Sequence, residues 1–387
     1  MTNNINRYIA TALFFMAILC SLVSQAPIIL ESGNDKILKM IWVLPFVYAL
    51  FSTPHNLLNN RLMPYYGFYL LFFLYCFSCQ MFTGGHYFTQ DLYNMAICLM
   101  ITIVSYCYWL HNSSQYALQT TCAISLVCGV FLSLDVYVNY LAGANIMSAS
   151  YAYDEKNSLG QILLCIIFIS ILFFKPKDKR ILWASRLCML FMLLVMILLK
   201  SRATFVSALY ILYYATLRKG NKKLKIAILT IGLLLCVFLL ANANAYDVIV
   251  NGIVFGGRNS SDLNSLTSNR VILFAIALKL IPQHPWVGAG EYYVDCLPLN
   301  LLTEYGIIGL TIVITFLFYL FHSLNTKVKT PLRMAAYVLY MSFLINALFE
   351  AYPPFGPGVK CFILWMVYGF ALAEATLQTG NNTKDNS

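Results

Sequence analysis

The chain has 387 residues, of which 60% are hydrophobic and only 10% charged, with a mean hydropathy of +0.72 and a formal net charge of +10. A soluble domain of this length needs far more polar surface, so the composition excludes a water-soluble globular protein and points to a membrane one. The excess of Lys and Arg sits in short clusters between apolar runs. No basic stripe interleaved with aromatics lies on a soluble face, which argues against nucleic acid as a partner.

About 30 Å of hydrocarbon is crossed by roughly 17 to 25 apolar residues in a helix. Runs of that kind occur in chain order near 8–29, 38–53, 65–82, 91–110, 117–141, 159–174, 182–199, 203–217, 224–242, 301–321, 334–349 and 359–377. The expected fold is an all-α polytopic integral membrane protein with about twelve transmembrane helices, nine of them within 1–242 and three within 301–377. The first run follows Arg7 without a small-x-small cleavage site and leads straight into further spans, so it reads as the first helix and not as a signal peptide. Twelve cysteines are scattered through the spans. Cys76-x-x-Cys79 lies in an apolar run, where cysteine behaves as a small apolar residue.

Lys and Arg in short loops are retained on the cytoplasmic side. Placing Lys175, Lys177, Lys179 and Arg180, the group Arg218, Lys219, Lys222, Lys223 and Lys225, and Lys327, Lys329 and Arg333 inside satisfies the helix count between them. Both termini are then cytoplasmic, and 143–157, 243–300 and 350–358 lie outside. The polar residues 378–387 read as a disordered cytoplasmic tail.

Segment 243–300 is the long polar stretch of the chain and concentrates its candidate chemistry. Lys200-Ser201-Arg202 lies at the outer end between two spans; Arg202 is either a headgroup contact or an anion ligand, and its guanidinium fork suits two phosphate oxygens better than Lys200 does. Arg270 opens a twelve-residue apolar run, Val271 to Pro282, too short to span and expected to be an interfacial helix. Arginine at a helix N-terminus adds its charge to exposed N–H groups and would hold an anion such as pyrophosphate. Arg258, in a glycine-rich turn, is a weaker third cation of this kind. His284-Pro285-Trp286-Val287-Gly288-Ala289-Gly290 reads as a helix stop and a tight turn, with His284 either capping that helix or reaching a substrate. Glu291, Asp295 and Glu304 are the nearest of only 15 acidic residues, each a candidate base, a charge partner or a solvated loop charge.

Four elements together resemble the O-antigen polymerase and ligase superfamily over roughly residues 157–320: Ser201-Arg202-Ala203, Ser268-Asn269-Arg270 with its helix, the His284 to Gly290 run, and Leu301-Leu302-Thr303-Glu304-Tyr305-Gly306-Ile307-Ile308-Gly309-Leu310. Lys156-Asn157-Ser158-Leu159-Gly160 matches a weaker upstream element. The resemblance implies a polytopic inner-membrane glycosyltransferase of the C type with a large periplasmic loop, using undecaprenyl-diphosphate-linked sugars and neither metal nor nucleotide cofactor. Ligases of the superfamily carry a His-Asn pair eleven residues before the glycine matching Gly306, where this chain has Asp295-Cys296. That departure favours the polymerase branch over the ligase. The resemblance then implies undecaprenyl-diphosphate-linked repeat units as both donor and acceptor, membrane lipids as surroundings, and a chain-length regulator and a flippase as possible companions. Arg202 and Arg270 would balance the leaving diphosphate, with Arg258, Tyr292 and Glu304 as further substrate contacts. Asp295, then Glu291, then His284 would take the acceptor proton, and Tyr293, Trp286 and Tyr352 are candidates for stacking on sugar rings. A lipid-linked-oligosaccharide transporter is the third alternative, although transporters tend to place polar residues at mid-membrane and to show internal repeats.

Overall fold

The computed structural model describes residues 2–145, 147–148, 153–214, 241–257, 267, 270–290, 292–325, 330–356 and 361–384, with isolated positions between 222 and 238. Arg258, Glu291, Ser268, Asn269, Lys327, Lys329, Pro357, most of the 224–242 run and most of the Arg218 to Lys225 cluster lie outside the described residues.

Every regular element among the described residues is helical. The main ones are α1 (Thr2–Val23), α2 (Val43–Ser52), α3 (Met63–Thr83), α4 (Gln90–Asn112), α5 (Gln115–Val136), α6 (Lys156–Phe173), α7 (Lys179–Leu198), α8 (Arg202–Tyr213), α9 (Arg270–Leu280), α10 (Leu297–Leu324), α11 (Pro331–Asn346) and α12 (Phe362–Lys384). Seven of the described helices are long and apolar enough to cross a membrane, and the protein is an all-α polytopic membrane protein. The expected count of about twelve is higher than this. The 38–53 run is divided into Asp35–Lys39, a 3-10 turn at Met40–Trp42 and α2, while α11 has 16 residues. The apolar part of α12 is Phe362–Gln378, and the helix itself continues to Lys384 through residues read from the sequence as a disordered tail.

In lipid, helices associate by close packing and buried hydrogen bonds, since the tails are as apolar as leucine. α4 is the most enclosed span, with 78% of its apolar window buried against 17% for α3, and its most extensive partner is α12. Aromatic rings interlock there: Phe14 of α1 stacks on Tyr108 of α4 at 4.0 Å, and Trp109 stacks on Phe370 of α12 at 4.8 Å. α6 packs between α5, α7 and α8, and α11 joins α8 to α12.

The helices alternate in direction. The starts of α4, α6, α8 and α10 and the end of α11 share one end of the bundle. At the opposite end lie Arg7, which donates to Asn112, and Arg61, which donates to Ala375 O. The basic segment Lys175–Arg180 between α6 and α7 is at this second end too, together with the start of α1 and the later turns of α12.

α10 is not continuous. Gly306 has φ 66° and ψ −170°, which breaks the helix inside the bundle. A break leaves N–H and C=O groups without intrahelical partners, and in lipid these must be satisfied by protein. The 285–290 turn supplies them. Ala289 N donates to Thr303 O at 2.8 Å and Gly290 N to Glu304 O at 3.1 Å, while Ile307 N and Ile308 N donate to Pro285 O and Trp286 O at 2.9 and 3.2 Å. Tyr75 Oη caps Tyr305 O at 2.5 Å, and Tyr87 Oη caps Gly288 O at 3.1 Å. The His-Pro-Trp-Val-Gly-Ala-Gly run is therefore a plug seated in a broken helix.

Gly288 and Gly306 meet backbone to backbone: a Cβ on Gly288 would lie 2.4 Å from Glu304 O, and one on Gly306 2.4 Å from Trp286 C. Gly306→Ala and Gly288→Ala should each destabilise the protein by about 2–4 kcal/mol, from overpacking plus left-handed strain. Gly84, with φ +68° and nothing within 4 Å, should bear the strain part alone as Gly84→Ala. Thermal unfolding of the three purified variants in detergent checks the ordering, and equal melting temperatures for all three would remove the plug account.

Candidate functional site

Four separate stretches meet at the end of the bundle that holds the plug. α6 begins with Lys156 and Asn157, α8 begins with Arg202 behind its cap Ser201, α9 begins with Arg270, and Glu350 follows α11. Lys156, Asn157, Lys200, Arg202, Ala203, Arg270 and Glu350 line one small cavity of ≈ 30 Å³. Three helix N-termini and four cationic side chains thus face a common space. Exposed N–H groups and the helix dipole both favour an anion at such a place.

The cavity is tied together by Asn157. Its Nδ2 donates to Glu350 Oε1 at 2.6 Å, and its Oδ1 accepts from Ser201 Oγ at 2.7 Å. Ser201 Oγ also accepts from Thr204 N at 3.4 Å, the N-cap bond that starts α8 and fixes where Arg202 emerges. Lys200 reaches the site only by taking a left-handed backbone, φ 54°, which costs a non-glycine residue roughly 1–2 kcal/mol. It is buried, its Nζ donates to Ser148 O at 3.2 Å, and burial lowers its pKa below the usual lysine value.

Arg270 is held between two carboxylates. Its Nε donates to Asp295 Oδ2 at 3.0 Å, and its Nη2 lies 3.6 Å from Glu350 Oε1. The other Asp295 oxygen, Oδ1, accepts from Tyr293 Oη at 2.5 Å. Desolvation first, then this hydrogen bond and the Asp295 and Glu350 charges, pushes the Tyr293 phenol pKa up, so the hydroxyl stays a donor. Tyr293 and Tyr352 place their ring centroids 5.6 Å apart at the rim.

Of the residues expected from the sequence, the structure brings together Arg202, Arg270 and Asp295. Arg258 and Glu291 lie outside the described residues. His284 is exposed; its backbone turns the chain through Gly288 N to His284 O at 3.0 Å, and its side chain lines no part of the cavity. Tyr292 is half-buried and outside the lining. Glu304 belongs elsewhere: it is buried within α10, where Asn300 Nδ2 donates to Glu304 Oε2 at 3.0 Å and lies 3.4 Å from Asp91 Oδ2 of α4. The same Asn300 accepts from Val294 N at 2.9 Å, so this buried group supports the residue next to Asp295 from behind. From sequence the Glu350 to Pro357 segment reads as a short outer loop bordering this cavity, but no individual role was assigned to Glu350, Asn157 or Lys156. The signals were a lone acid closing a span and the polar start of the Lys156 to Gly160 element.

The class this defines is an all-helical polytopic membrane protein with an anion-attracting site at the end of its bundle. A family model described as O-antigen ligase matches residues 187–314, about a third of the chain. The match takes in Arg202, Arg270, Asp295 and the plug, while Lys156, Asn157 and Glu350 lie beyond it. No curated protein matches the chain.

The lowered pKa of Lys200 gives the site a pH dependence. Its charge is lost as pH rises through a value below the ordinary 10.5, so inorganic pyrophosphate should bind more weakly there, by about tenfold for one charge-assisted contact. Lys200→Arg keeps its charge and should bind evenly over that range. Calorimetric titration from pH 7 upward distinguishes the two, and parallel curves would remove Lys200 from the anion site.

Proposed function

We propose that the protein is an O-antigen polymerase, joining undecaprenyl-diphosphate-linked repeat units at the periplasmic face of the bacterial inner membrane. The observation that carries this reading is the convergence of Lys156, Lys200, Arg202 and Arg270 with three helix N-termini on one cavity. The placement of the basic Lys175–Arg180 segment at the far end supports the orientation, since such segments stay cytoplasmic. Asp295-Cys296, in place of the His-Asn pair of ligases, supports polymerase over ligase.

The diphosphate of the donor lies among the four cations. The cavity has room for about one water-sized group, so the diphosphate takes over the Arg270 guanidinium and Glu350 is released from it. The acceptor hydroxyl oxygen attacks the anomeric carbon of the donor, and the bond from that carbon to the phosphate oxygen breaks. The electron pair leaves with the diphosphate, where Arg202 and Arg270 stabilise charge as it builds up. The acceptor proton passes to a carboxylate. Glu350 lines the cavity and Asp295 does not, so Glu350 is the better placed of the two for this. Tyr293 and Tyr352 stack on sugar at the rim. The exposed apolar residues Val271, Ile272, Ile276 and Leu278 seat α9 in the interface, beside which lipid carriers slide in. A flippase and a chain-length regulator would act before and beside it.

The lipopolysaccharide of a strain lacking this gene tests the reading. Core carrying a single repeat unit is the expected result; bare core with polymer held on the lipid carrier would mean ligase, and an unchanged ladder would overturn both. On complementation, Arg202→Ala, Arg270→Ala and Glu350→Gln should each lower polymer at least ~100-fold, the scale of one transition-state contact or one acid–base group. Asp295→Asn should leave measurable polymer. Membrane levels of every variant should match the parent on immunoblots; full ladders from both arginine variants would remove the diphosphate clamp.

A further inference from the structure

A second cavity lies at the other end of the bundle. α4 begins beside Asn300 and rises from Asp91 to Asn112 by about 32 Å at ~1.5 Å per residue, so the two sites are a membrane thickness apart. This cavity has a volume of ≈ 420 Å³ between α1, α2 and α4, within the range of small-molecule sites. Its inner wall is apolar, formed by Ala10, Phe14, Ala49 and Val104, and its outer wall carries Arg7, Tyr48, His111 and Asn112.

The polar wall has donors to spare. Arg7 Nε donates to Asn112 Oδ1 at 2.6 Å, which fixes the amide with its oxygen toward the guanidinium. Asn112 Nδ2 then points away from Arg7, and although Asn112 is only 7% exposed, this amide nitrogen has no hydrogen-bond partner among the described residues. A buried donor without an acceptor is rare in folded proteins. The two Nη groups of Arg7 also make no hydrogen bond to the described residues. The remaining polar groups are satisfied locally: Tyr48 Oη donates to Asn6 O at 3.1 Å, Ser52 and Thr53 to carbonyls one turn back, and His111 Nδ1 pairs with Cys107 O at 2.9 Å. No carboxylate is among the lining residues. The wall therefore offers one fixed positive charge and one oriented amide to an acceptor-rich anion, with hydrocarbon walls directly behind. Around it, Tyr8 and Phe51 are 77% and 85% exposed, so this flank of the bundle faces lipid.

We propose that this cavity binds an anionic phospholipid, its phosphate held by Arg7 and Asn112 and the first carbons of its chains lying against Ala10 and Phe14. The lipid ties α1 and α2 to α4 at the end opposite the cation site. Basic pockets between transmembrane helices bind lipid headgroups in this way.

The test uses the purified full-length protein in detergent, with its unfolding temperature measured against added phosphatidylglycerol, phosphatidylcholine or soluble glycerol phosphate. Phosphatidylglycerol should raise the unfolding temperature and the other two should not. Arg7→Gln and Asn112→Asp should weaken the response at least ~10-fold in lipid concentration, the scale of one hydrogen bond to a charged group. Asn112→Asp keeps the acceptor for Arg7 Nε, so it tests the free donor in a folded protein even if Arg7→Gln does not fold. Equal stabilisation by phosphatidylcholine would overturn the anion recognition, and equal stabilisation by glycerol phosphate would overturn the lipid as its source. An unaltered response in Asn112→Asp would overturn the site.

Discussion

A polar backbone inside lipid has to be satisfied by protein, and the break at Gly306 of α10 makes that requirement local. Thr303, Glu304, Ile307 and Ile308 find partners only because the 285–290 turn is drawn into the break. Seating that turn fixes the chain on both sides of it. Upstream it anchors α9, whose first residue is Arg270; downstream it delivers Asp295 to that arginine. The cation site thus owes its geometry to a hydrogen-bonding demand raised some turns away.

The positive charge of the site does not come from any single group. Arg270 is paired with Asp295 and approached by Glu350. Lys156, Lys200 and Arg202 line the same cavity with the starts of α6 and α8. Asn157 keeps this arrangement in place by gripping Glu350 with one end of its amide and the cap of α8 with the other. The buried trio Asp91, Asn300 and Glu304 does similar work on the far side of Asp295, through the Val294 backbone.

Much of this was legible from residue order. Arg202 and Arg270 announced themselves because each begins a helix after a polar break in an apolar chain, and that local rule holds whatever the tertiary packing. Asp295 was legible as one of the three acids nearest the His284 to Gly290 turn. Glu350 and Asn157 were not, since their bond joins residues 193 apart in sequence and no local pattern encodes such a pairing. The His284 to Gly290 run was legible as a helix stop and tight turn, and His284 does cap the short 3-10 turn Ile281–Gln283; that the turn seats in the break at Gly306 was not legible. Glu304 misled, because from sequence a carboxylate near a helix start cannot be distinguished from one turned inward onto Asn300. The seven long apolar helices are a count among the described residues, and the apolar runs that form α2 and α11 build shorter helices than these.

The centre of the bundle is closed by an element distant in sequence. α4 is the most enclosed span among the described residues, and the helix that covers it most extensively is α12. Until residues 362–378 leave the ribosome, one face of α4 is presented to lipid, with Thr102, Ser105 and Tyr106 lying on a helix that the finished protein buries. Before α12 is made, α4 therefore carries a polar stripe in the bilayer that α12 later hides.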